Sequence, residues 1–333
     1  MTVGVGVVVL AWKEQPYLRD CVTAALASTG VDVRLVIVDN GCRPEDLPTD
    51  VDGVEVLRPG RNTGFAGGCN LGVAALDTEF VALVNSDAIV APDALAKLVA
   101  EAAQPGVGPV MGSIRLAEPP GLLNSAGNPV HLTGLSWAGG MNTAETRTAP
   151  YDVTGASGAC LLMATAVWKQ LGGFDEAYFA YLEDSELSLR AWRTGLAVRC
   201  VPTAVARHHY EFSRNTHKMY LLERNRLMLL ATVWPTRALL LLAPVLLACE
   251  VGLACYAVAA GWGRGKLSGY GWLWRHRGHL RERRRLVQAE RQVPDRTWMA
   301  RLTPALDRSA FGPLTPAANV VFSVYWSVVR RLV

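Results

Sequence analysis

The sequence predicts an α/β fold in which a mostly parallel sheet carries helices on both faces. Three observations support this prediction. Over residues 1–103, apolar runs alternate with segments of helical periodicity, which is the pattern of strands joined by crossover helices. The apolar runs are continuous and rich in valine, as in strands that are buried on both faces. Two of the runs end on an acid, Asp39 and Asp87, at the strand ends beyond which α/β sheets bind ligands.

The elements follow one another in a regular order through this first part of the chain. Strands are predicted at 3–10, 33–40, 54–60 and 78–87, and helices at 16–28 and 91–103. The last helix begins with Pro92 and Asp93, two residues favoured at helix starts. A glycine-rich stretch at 61–76 opens another helix between the third and fourth strands. Since parallel strands end at one edge of a sheet, Asp39 and Asp87 are expected to face the same crevice.

The middle of the chain is expected to be less regular. Residues 104–155 are rich in Gly, Pro, Asn and Thr, which predicts loops and short strands over the sheet edge. Residues 155–179 predict a strand, a helix and a glycine turn. This turn leads into YFAYLEDSELSLR, residues 178–190, in which the aromatic residues Tyr178, Phe179 and Tyr181 precede a cluster of acids. A further strand is predicted at 196–207.

The character of the chain changes in its last third. Residues 238–249 and 251–263 are apolar and separated only by Glu250, so together they are long enough to span a bilayer, which takes about 20 residues. Residues 264–301 carry 11 Lys and Arg against 3 Asp and Glu, and this basic block suits anionic headgroups or diphosphates. A single span would separate the block from a cytosolic catalytic domain, against the positive-inside tendency. A re-entrant or interfacial helix is therefore favoured over a span, and a buried helix of a soluble protein is the third alternative.

Two other features bear on membrane contact and on location. Trp272 and Trp274 lie among arginines, as in interfacial anchors, and the apolar segment 320–329 is too short to cross a bilayer alone. The seven cysteines are scattered and form no CxxC pair, which argues against a disulfide framework and a zinc site. The N-terminus lacks a basic n-region, so residues 3–10 are expected to be the first strand rather than a signal peptide, in a reducing, cytosolic location.

Three stretches of the first part carry residues suited to nucleotide and phosphate chemistry. Asp39 could accept a hydrogen bond from a nucleobase imide or a ribose hydroxyl, although a turn or capping aspartate is an equal alternative. NTGFAGGCNLG, residues 62–72, could turn backbone N–H groups toward a phosphate, but it has neither dinucleotide-binding nor Walker spacing. Asp87 could hold a divalent cation together with diphosphate oxygens, or it could be structural.

The acids of residues 178–190 have more than one interpretation. Glu186 and Arg190 are four residues apart on the predicted helix and could form a simple ion pair. Asp184 lies about 100° round the helix from Glu183. A carboxylate crowded by acids and aromatic rings is expected to have a raised pKa, which suits a general base near neutral pH. Acids stabilised by the N-terminal end of the helix dipole are the structural alternative.

In this order the motifs resemble those of the inverting nucleotide-sugar glycosyltransferases of family two, which have the GT-A fold. The matching stretches are VDNG (38–41), NTGFAGGCN (62–70), VNSD (84–87), GGFDEAYFAYLEDSELSLR (172–190) and HHYEFSRN (208–215). The resemblance covers roughly residues 3–230, and it is closest to actinobacterial rhamnosyltransferase-like cell-wall enzymes. It implies a GT-A catalytic domain at 1–226, with a donor half at 1–103 and an acceptor half at 104–226, followed by a membrane-associated helical region at 227–333.

The resemblance also implies roles for individual residues. Asp184 would be the general base, with Glu183 as its rival. A divalent cation, Mg²⁺ or Mn²⁺, would be held by Asp87 and His208, with His209 as the alternative; Asn85 stands where the family's metal motif has its first acid. The residues assigned to the donor are Asp39, facing the pyrimidine, and Asn62, Gly64, Phe65, Gly67, Gly68, Asn70, Ser86 and Arg224. Independently of the resemblance, Arg214, Lys218 and Arg226 follow the two histidines and would add positive charge near the leaving group, and Trp137 and residues 155–159 would line the acceptor pocket.

The function implied is a metal-dependent, inverting hexosyltransferase at the cytosolic face of the membrane. Its donor would be a dTDP- or UDP-sugar, with dTDP-rhamnose preferred, and its acceptor a polyprenyl-diphosphate-linked glycan. No nucleic-acid partner is expected, and the oligomeric state is left open. The alternatives are a membrane-tethered, non-catalytic scaffold and a nucleotidylyltransferase, which would need a basic glycine-rich loop where this chain has VVLAWKEQPYL (8–18).

Overall fold

The computed structural model describes residues 2–210, 215–313 and 315–333. These residues form two compact units. The first, the sheet unit, comprises the described residues within 1–128, 138–191 and 196–211. The second, the helical unit, comprises those within 129–137, 192–195 and 212–333.

One mixed sheet forms the core of the sheet unit. Its strands are β1 (Val3–Lys13), β2 (Val31–Cys42), β3 (Val54–Leu57), β4 (Phe80–Asn85), β5 (Ala88–Val90), β6 (Val107–Leu116), β7 (Leu123–Ser125), β8 (Tyr151–Asp152), β9 (Cys160–Ala164) and β10 (Ala197–His208). The main order is β3-β2-β1-β4-β9-β6-β10-β5. The first four strands of this order are parallel, and β9 enters antiparallel between β4 and β6. The predicted α/β class is confirmed, with an antiparallel insertion in the parallel sheet.

Five helices belong wholly or largely to the sheet unit: α1 (Leu18–Leu26), α2 (Gly64–Ala74), α3 (Ala94–Ala102), α4 (Thr165–Leu171) and α5 (Glu183–Arg193). Two glycines bring α2 close to the sheet. A Cβ atom at Gly72 would lie 2.3 Å from the Val8 side chain, and one at Gly68 would lie 2.6 Å from Leu10. Both distances are too short for any larger residue, so part of the glycine-rich stretch serves the packing of α2 on β1.

The expectation that residues 104–155 are irregular was wrong for 107–116. These residues form β6, a long and almost fully buried strand in the interior of the sheet. Gly108, Pro109 and Gly112 interrupt its apolar pattern and conceal the strand in the sequence. Gly112 is required by packing, because a Cβ atom there would lie 2.6 Å from the carbonyl oxygen of Ala204 on β10.

The helical unit contains α6 (Thr216–Val233), α7 (Thr236–Ala259), α8 (Gly263–Arg275), α9 (Arg277–Ala289), α10 (Asp295–Met299), α11 (Arg308–Phe311) and α12 (Thr315–Leu332). α7 joins both predicted apolar stretches into one helix that continues through Pro244. Among the described residues it is the one helix long and apolar enough to cross a membrane. Only 17% of its most apolar 18-residue stretch is buried, whereas the core helix of a soluble protein is mostly buried.

Candidate active site

Asp39 lies at the carboxyl end of β2 and is partly engaged in a turn. Its Oδ1 atom accepts hydrogen bonds from the backbone N–H groups of Gly41 and Cys42, at 3.0 and 2.9 Å. Its Oδ2 atom lies 3.7 Å from Nε of Arg58, whose side chain is exposed. One carboxylate oxygen is therefore fixed by the chain itself, and the other is left beside a positive charge at the rim of the crevice.

Asn40, the next residue, ties the strand end to the glycine-rich stretch. Its buried side chain donates a hydrogen bond to the carbonyl oxygen of Gly64 at 2.9 Å. Its Oδ1 atom accepts from the backbone N–H and the hydroxyl of Thr63, at 3.2 and 2.9 Å. Asn40 is not among the site residues predicted from the sequence, and the signal available was its place directly after Asp39.

Gly64 lets the start of α2 pack closely against Phe179, in the aromatic segment that precedes α5. Its φ is +72°, and its N–H donates to Oδ1 of Asn62 at 2.8 Å. A Cβ atom at this position would lie 2.3 Å from the carbonyl oxygen of Phe179. That oxygen accepts a hydrogen bond from the N–H of Ala66 at 3.1 Å. The glycine is thus demanded by a contact between backbones, which fixes the first turn of α2.

The other predicted donor residues of α2 have mainly internal contacts. Gly67 is buried, and a Cβ atom there would lie 3.2 Å from Thr63. The side-chain amide of Asn70 exchanges two hydrogen bonds with the backbone of Phe174, both at 3.0 Å. Phe65 is half-buried, and its ring lies 3.1 Å from the position of a Cβ atom at Gly158.

Asp87 and His208 are brought together at the ends of β4 and β10. Nε2 of His208 lies 2.9 Å from Oδ1 of Asp87 and 3.4 Å from Nδ2 of Asn85. The imidazole is buried, whereas the Asp87 side chain is 36% exposed. The neighbouring His209 stacks on Tyr17 with ring centroids 3.7 Å apart. The structure therefore places His208, and not His209, against the carboxylate; Ser86 is half-buried beside it.

The donor atoms of this pair suit a divalent cation. Nδ1 of His208 lies 2.9 Å from Oδ1 of Asn124, so an N–H at Nδ1 leaves the lone pair of Nε2 facing Asp87. A carboxylate oxygen and an imidazole nitrogen are acceptable ligands for Mn²⁺, and diphosphate oxygens can complete the shell. No cluster of three or more metal-ligating side chains occurs among residues 2–210, 215–313 and 315–333. The residues present thus fit a cation that is shared with a bound diphosphate.

Asp184, in the first turn of α5, is held by backbone donors. Its Oδ2 atom accepts from the N–H of Gly158 at 3.0 Å and lies 3.4 Å from Nδ2 of Asn128. Its Oδ1 atom accepts from the N–H of Ser185 at 2.6 Å. Burial raises the pKa of the Asp184 carboxyl above its ordinary value, although the hydrogen bonds from Gly158 and Ser185 oppose this shift.

Glu183 has a different environment from its neighbour. It is 5% exposed, and within the described part of the chain its Oε2 atom has no hydrogen-bond partner. Burial, and then the charge of Asp184, raise the pKa of Glu183 well above its ordinary value. The pKa of buried Cys69 on α2 is raised in turn, mainly by burial and also by the charge of Glu183. Glu183 is therefore an interior acid whose uncharged form is favoured by burial, while Asp184 is partly exposed.

The backbone before α5 is strained. Phe179, Tyr181 and Leu182 have φ angles of +63°, +73° and +69°, in a region that residues other than glycine rarely adopt. Strain of this kind persists only where the surrounding contacts enforce it, and it is common at functional sites. Here the contact of Phe179 with the start of α2 is one such constraint. The strained segment sets the position at which Glu183 and Asp184 enter the helix.

The predicted ion pair of Glu186 and Arg190 is confirmed, and it is buried. Nε of Arg190 donates to Oε2 of Glu186 at 2.9 Å, and both side chains are at most 1% exposed. The guanidinium also donates to the carbonyl oxygens of Leu171 and Gly173, at the end of α4. This part of the acidic stretch is structural.

The consecutive residues Gly158 and Ala159 connect the start of α5 to the end of β4 by hydrogen bonds. The N–H of Asn85, at the end of β4, donates to the carbonyl oxygen of Ala159 at 3.0 Å. The adjacent residue, Gly158, donates to Asp184. Two consecutive residues thus join Asp184 to the strand end that leads into Asp87. Asp184 is therefore linked through two hydrogen bonds to the strand end that precedes Asp87.

The remaining predicted residues lie in the helical unit, where they have partners of their own. Arg224 donates to Oδ1 of Asn225, and its guanidinium lies 4.5 Å from the ring centroid of Trp272. Arg226 pairs with Glu223 at 3.1 Å. Trp137 packs edge-on against Phe311, with centroids 5.3 Å apart, and Lys218 is half-buried on α6. Arg214 lies outside the described residues.

Comparison with known proteins gives a family match over most of the chain. The sequence model of the family "Glycosyltransferase like family 2" matches residues 3–228. The N-acetylglucosaminyl-diphospho-decaprenol L-rhamnosyltransferase of Mycobacterium tuberculosis is 26% identical over 238 residues, which are 63% of this chain and 77% of that protein. O-antigen biosynthesis protein RfbC of Myxococcus xanthus is 28% identical over 223 residues, 62% of this chain but 17% of that protein. The uncharacterized protein y4gI of Sinorhizobium fredii is 29% identical over 214 residues, 59% of this chain and 23% of that protein.

Two solved structures share the fold. GalNAc-T7 with UDP, GalNAc and Mn²⁺ has a TM-score of 0.57 at 17% identity and covers 70% of this chain and 48% of its own. The mannosyltransferase PcManGT from Pyrobaculum calidifontis, with GDP-Man and Mn²⁺, has a TM-score of 0.50 at 18% identity and covers 86% and 84%. Both are glycosyltransferases of the GT-A fold, so the predicted fold is confirmed.

Proposed function

The chain belongs to the glycosyltransferase-like family 2, and from that membership we infer that it is an inverting, metal-dependent glycosyltransferase. We propose dTDP-rhamnose as its donor and a hydroxyl of a polyprenyl-diphosphate-linked glycan as its acceptor, at the cytosolic face of a membrane. The observation that supports this proposal best is the connection of Asp184, through Gly158 and Ala159, to the β4 end beside Asp87 and His208.

The donor side of the site would use the strand ends and the start of α2. The Oδ2 atom of Asp39, which takes no part in the turn and lies 3.7 Å from Arg58, is suited to the imide of a pyrimidine, and the start of α2 would line the donor pocket. Asp87 and His208 would hold the cation, which when bound neutralises charge on the diphosphate. Asn124 keeps the imidazole of His208 oriented for this role.

On the acceptor side, Asp184 would be the general base. Its carboxylate takes the proton of the acceptor hydroxyl while that oxygen forms a bond to the anomeric carbon. The bond from this carbon to the diphosphate oxygen breaks on the opposite face, so the configuration inverts and the nucleoside diphosphate leaves. The raised pKa of Asp184 suits a base that works near neutral pH. Glu183 is 5% exposed, and burial raises its pKa well above the ordinary value, so it is poorly placed to accept this proton.

The choice of sugar and acceptor rests on sequence similarity. The motifs are similar to those of rhamnosyltransferase-like enzymes, and one relative is named for transfer of L-rhamnose to a decaprenyl-linked acceptor. A UDP-sugar is the alternative donor. The apolar helix α7 favours an acceptor that is carried by a membrane lipid.

Turnover and donor binding should be measured in Asp184→Asn and Glu183→Gln, a pair of near-isosteric changes at adjacent positions. Asp184→Asn should lower kcat by about 10²–10⁴-fold and keep donor affinity, because a general base contributes about this much. Glu183→Gln should keep most of the turnover, since this side chain is buried and glutamine has nearly the same shape as glutamate. The opposite result would make Glu183 the base.

Calorimetry with Mn²⁺ and a panel of dTDP-, UDP- and GDP-sugars would identify the donor, and no binding at all would favour a scaffold.

A further inference from the structure

The helix α7 carries a stripe of exposed apolar residues along its whole length. Leu240, Leu247, Val251 and Val258 are each more than half exposed. At 100° per residue, their spacings of 7, 11 and 18 residues place them within about 20° of one line on the helix. The line is about 27 Å long. Side chains of this kind would normally be covered, yet nothing within the described chain covers them.

One acid on the flank of α7 fixes this helix to its neighbours. Glu250 accepts hydrogen bonds from Arg226 on α6 and from Tyr270 on α8. It also pairs with Lys266 on α8 at 2.8 Å, and Lys266 and Arg226 share a second acid, Glu223. The cluster contains two positive and two negative side chains, so it is neutral as a whole. Glu250, which separates the two apolar runs of the sequence, thus attaches α7 to α6 and α8.

A second apolar face lies on α12. Val320, Val321, Val324, Val328 and Leu332 are exposed and recur at intervals of three or four residues on one side of the helix. Residues 315–329 include no charged side chain, and Arg330 and Arg331 follow directly. The opposite side of α12 is buried through Trp326 and Val329. The helix therefore packs by one face and presents valines to the outside by the other.

The two helices meet, and their apolar residues line a common groove. The hydroxyl of Tyr325 on α12 donates to the carbonyl oxygen of Leu241 on α7. The open groove between them has a volume of about 640 Å³ and is lined by Leu241 together with seven residues of α12. The exposed apolar residues of these two adjoining helices are here called the α7–α12 face.

We propose that the α7–α12 face lies in the interfacial layer of an anionic bilayer and that the helical unit is monotopic, with both ends of α7 on one side of the membrane. Charge favours this occupant over a second copy of the chain. Residues 264–301, which form α8, α9 and α10 and their connections, have a net charge of +8 and include exposed Trp274. A transmembrane α7 would have to separate Glu250 from Arg226 and Lys266, leaving a carboxylate in the hydrocarbon. The proposal rests on the membrane-bound acceptor proposed above.

Vesicle binding tests the face itself. Vesicles of phosphatidylcholine with 30% phosphatidylglycerol should sediment the purified chain, and Val320→Asp/Val324→Asp should weaken this binding by at least about tenfold. The matched control is the double variant Thr23→Asp/Arg34→Ala. Both positions are exposed in the sheet unit, and the two substitutions change the net charge by the same amount as the valine variant does. Equal binding by the valine variant and the control would overturn the proposal, and so would a valine variant that loses self-association in ultracentrifugation but still binds vesicles. Transfer to a short-chain acceptor in detergent should be unchanged in both variants, which separates this inference from the proposed function.

Cysteine labelling tests the topology. The starting chain has Cys42, Cys249 and Cys255 replaced by serine and keeps its buried cysteines. Thr236→Cys and Ala260→Cys, introduced one at a time, then mark the two ends of α7. A membrane-impermeant maleimide should label both positions in inside-out vesicles of an expressing bacterium and neither position in intact spheroplasts. Labelling of one of the two in spheroplasts would show that α7 crosses the bilayer and would overturn the proposal.

Discussion

Nε2 of His208 lies 2.9 Å from Oδ1 of Asp87, although 121 residues separate them in the chain. The contact exists because β4 and β10 both end at the same edge of the sheet. Asn124 holds the other ring nitrogen, so the imidazole has one orientation. A carboxylate, an imidazole and a supporting amide form an arrangement that is suited to a cation, and it can be tested through the supporting residue.

Asn124→Ala should weaken Mn²⁺ binding by about 10–100-fold, the usual effect of removing a residue that supports a metal ligand. The variant should keep its fold, and saturating Mn²⁺ should restore part of its activity. Calorimetric titration of Mn²⁺ in the presence of a nucleoside diphosphate measures the effect. His209→Ala is the control, since the ring of His209 stacks on Tyr17. Equal loss in both variants would exclude the assigned role of Asn124.

Glu183 should make the protein less stable as the pH rises. Its pKa in the folded state is well above the ordinary value of 4.5, mainly because of burial. The folded state therefore holds a proton that the unfolded state releases, and this contribution is complete below pH 4.5 and is lost as the pH rises through the folded pKa.

Glu183→Gln should remove that loss, because the amide stays neutral at every pH. Urea unfolding at pH 5, 6.5 and 8 should show a free energy of unfolding that declines less with pH in Glu183→Gln than in the wild type. Glu55→Gln, at an exposed position of β3, should follow the wild type. Parallel curves for the wild type and Glu183→Gln would contradict a raised pKa of Glu183.

The buried ion pair of Glu186 and Arg190 should be important for stability. Arg190→Met would leave Glu186 without its partner and remove two hydrogen bonds to the end of α4. Breaking a buried pair in this way costs about 3–5 kcal/mol of unfolding free energy. The surface pair Asp93 and Lys97 has the same spacing, and Lys97→Met should cost about 0–1 kcal/mol. Similar losses in the two variants, measured by urea unfolding, would contradict the argument.

The sequence allowed the first four strands to be located to within three residues at each end, because continuous valine runs and terminal acids leave a strong signal. Asp87 could be named as a candidate for the same reason, whereas the roles expected of Asp184 and His208 came from the resemblance of their motifs to the family. Strand β6 was missed, because its glycines serve contacts with β10 that only the tertiary structure shows. Asn40 and Asn124 were missed for a similar reason, since a polar side chain does not reveal its partner in sequence.

The left-handed conformation of the segment before α5 could not be predicted either. Phe179, Tyr181 and Leu182 are bulky, and local preference would place them at negative φ. The packing of α2 against Phe179 overrides this preference. Gly64, on the other side of that contact, gives a direct test of how strongly the two segments depend on each other.

Gly64→Ala should be much more destabilising than Gly60→Ala, although both glycines have a φ of +72°. At Gly60 a Cβ atom would have no neighbour within 4 Å, so the cost is that of the left-handed conformation alone, about 1–2 kcal/mol. At Gly64 the same atom would lie 2.3 Å from the carbonyl oxygen of Phe179, and a backbone atom cannot move away as a flexible side chain can. The unfolding free energy of Gly64→Ala should therefore fall by at least about 3 kcal/mol, with weaker donor binding, because the start of α2 and the approach to Asp184 shift together. Equal losses in the two variants under urea unfolding would show that the contact with Phe179 yields easily and does not hold the site.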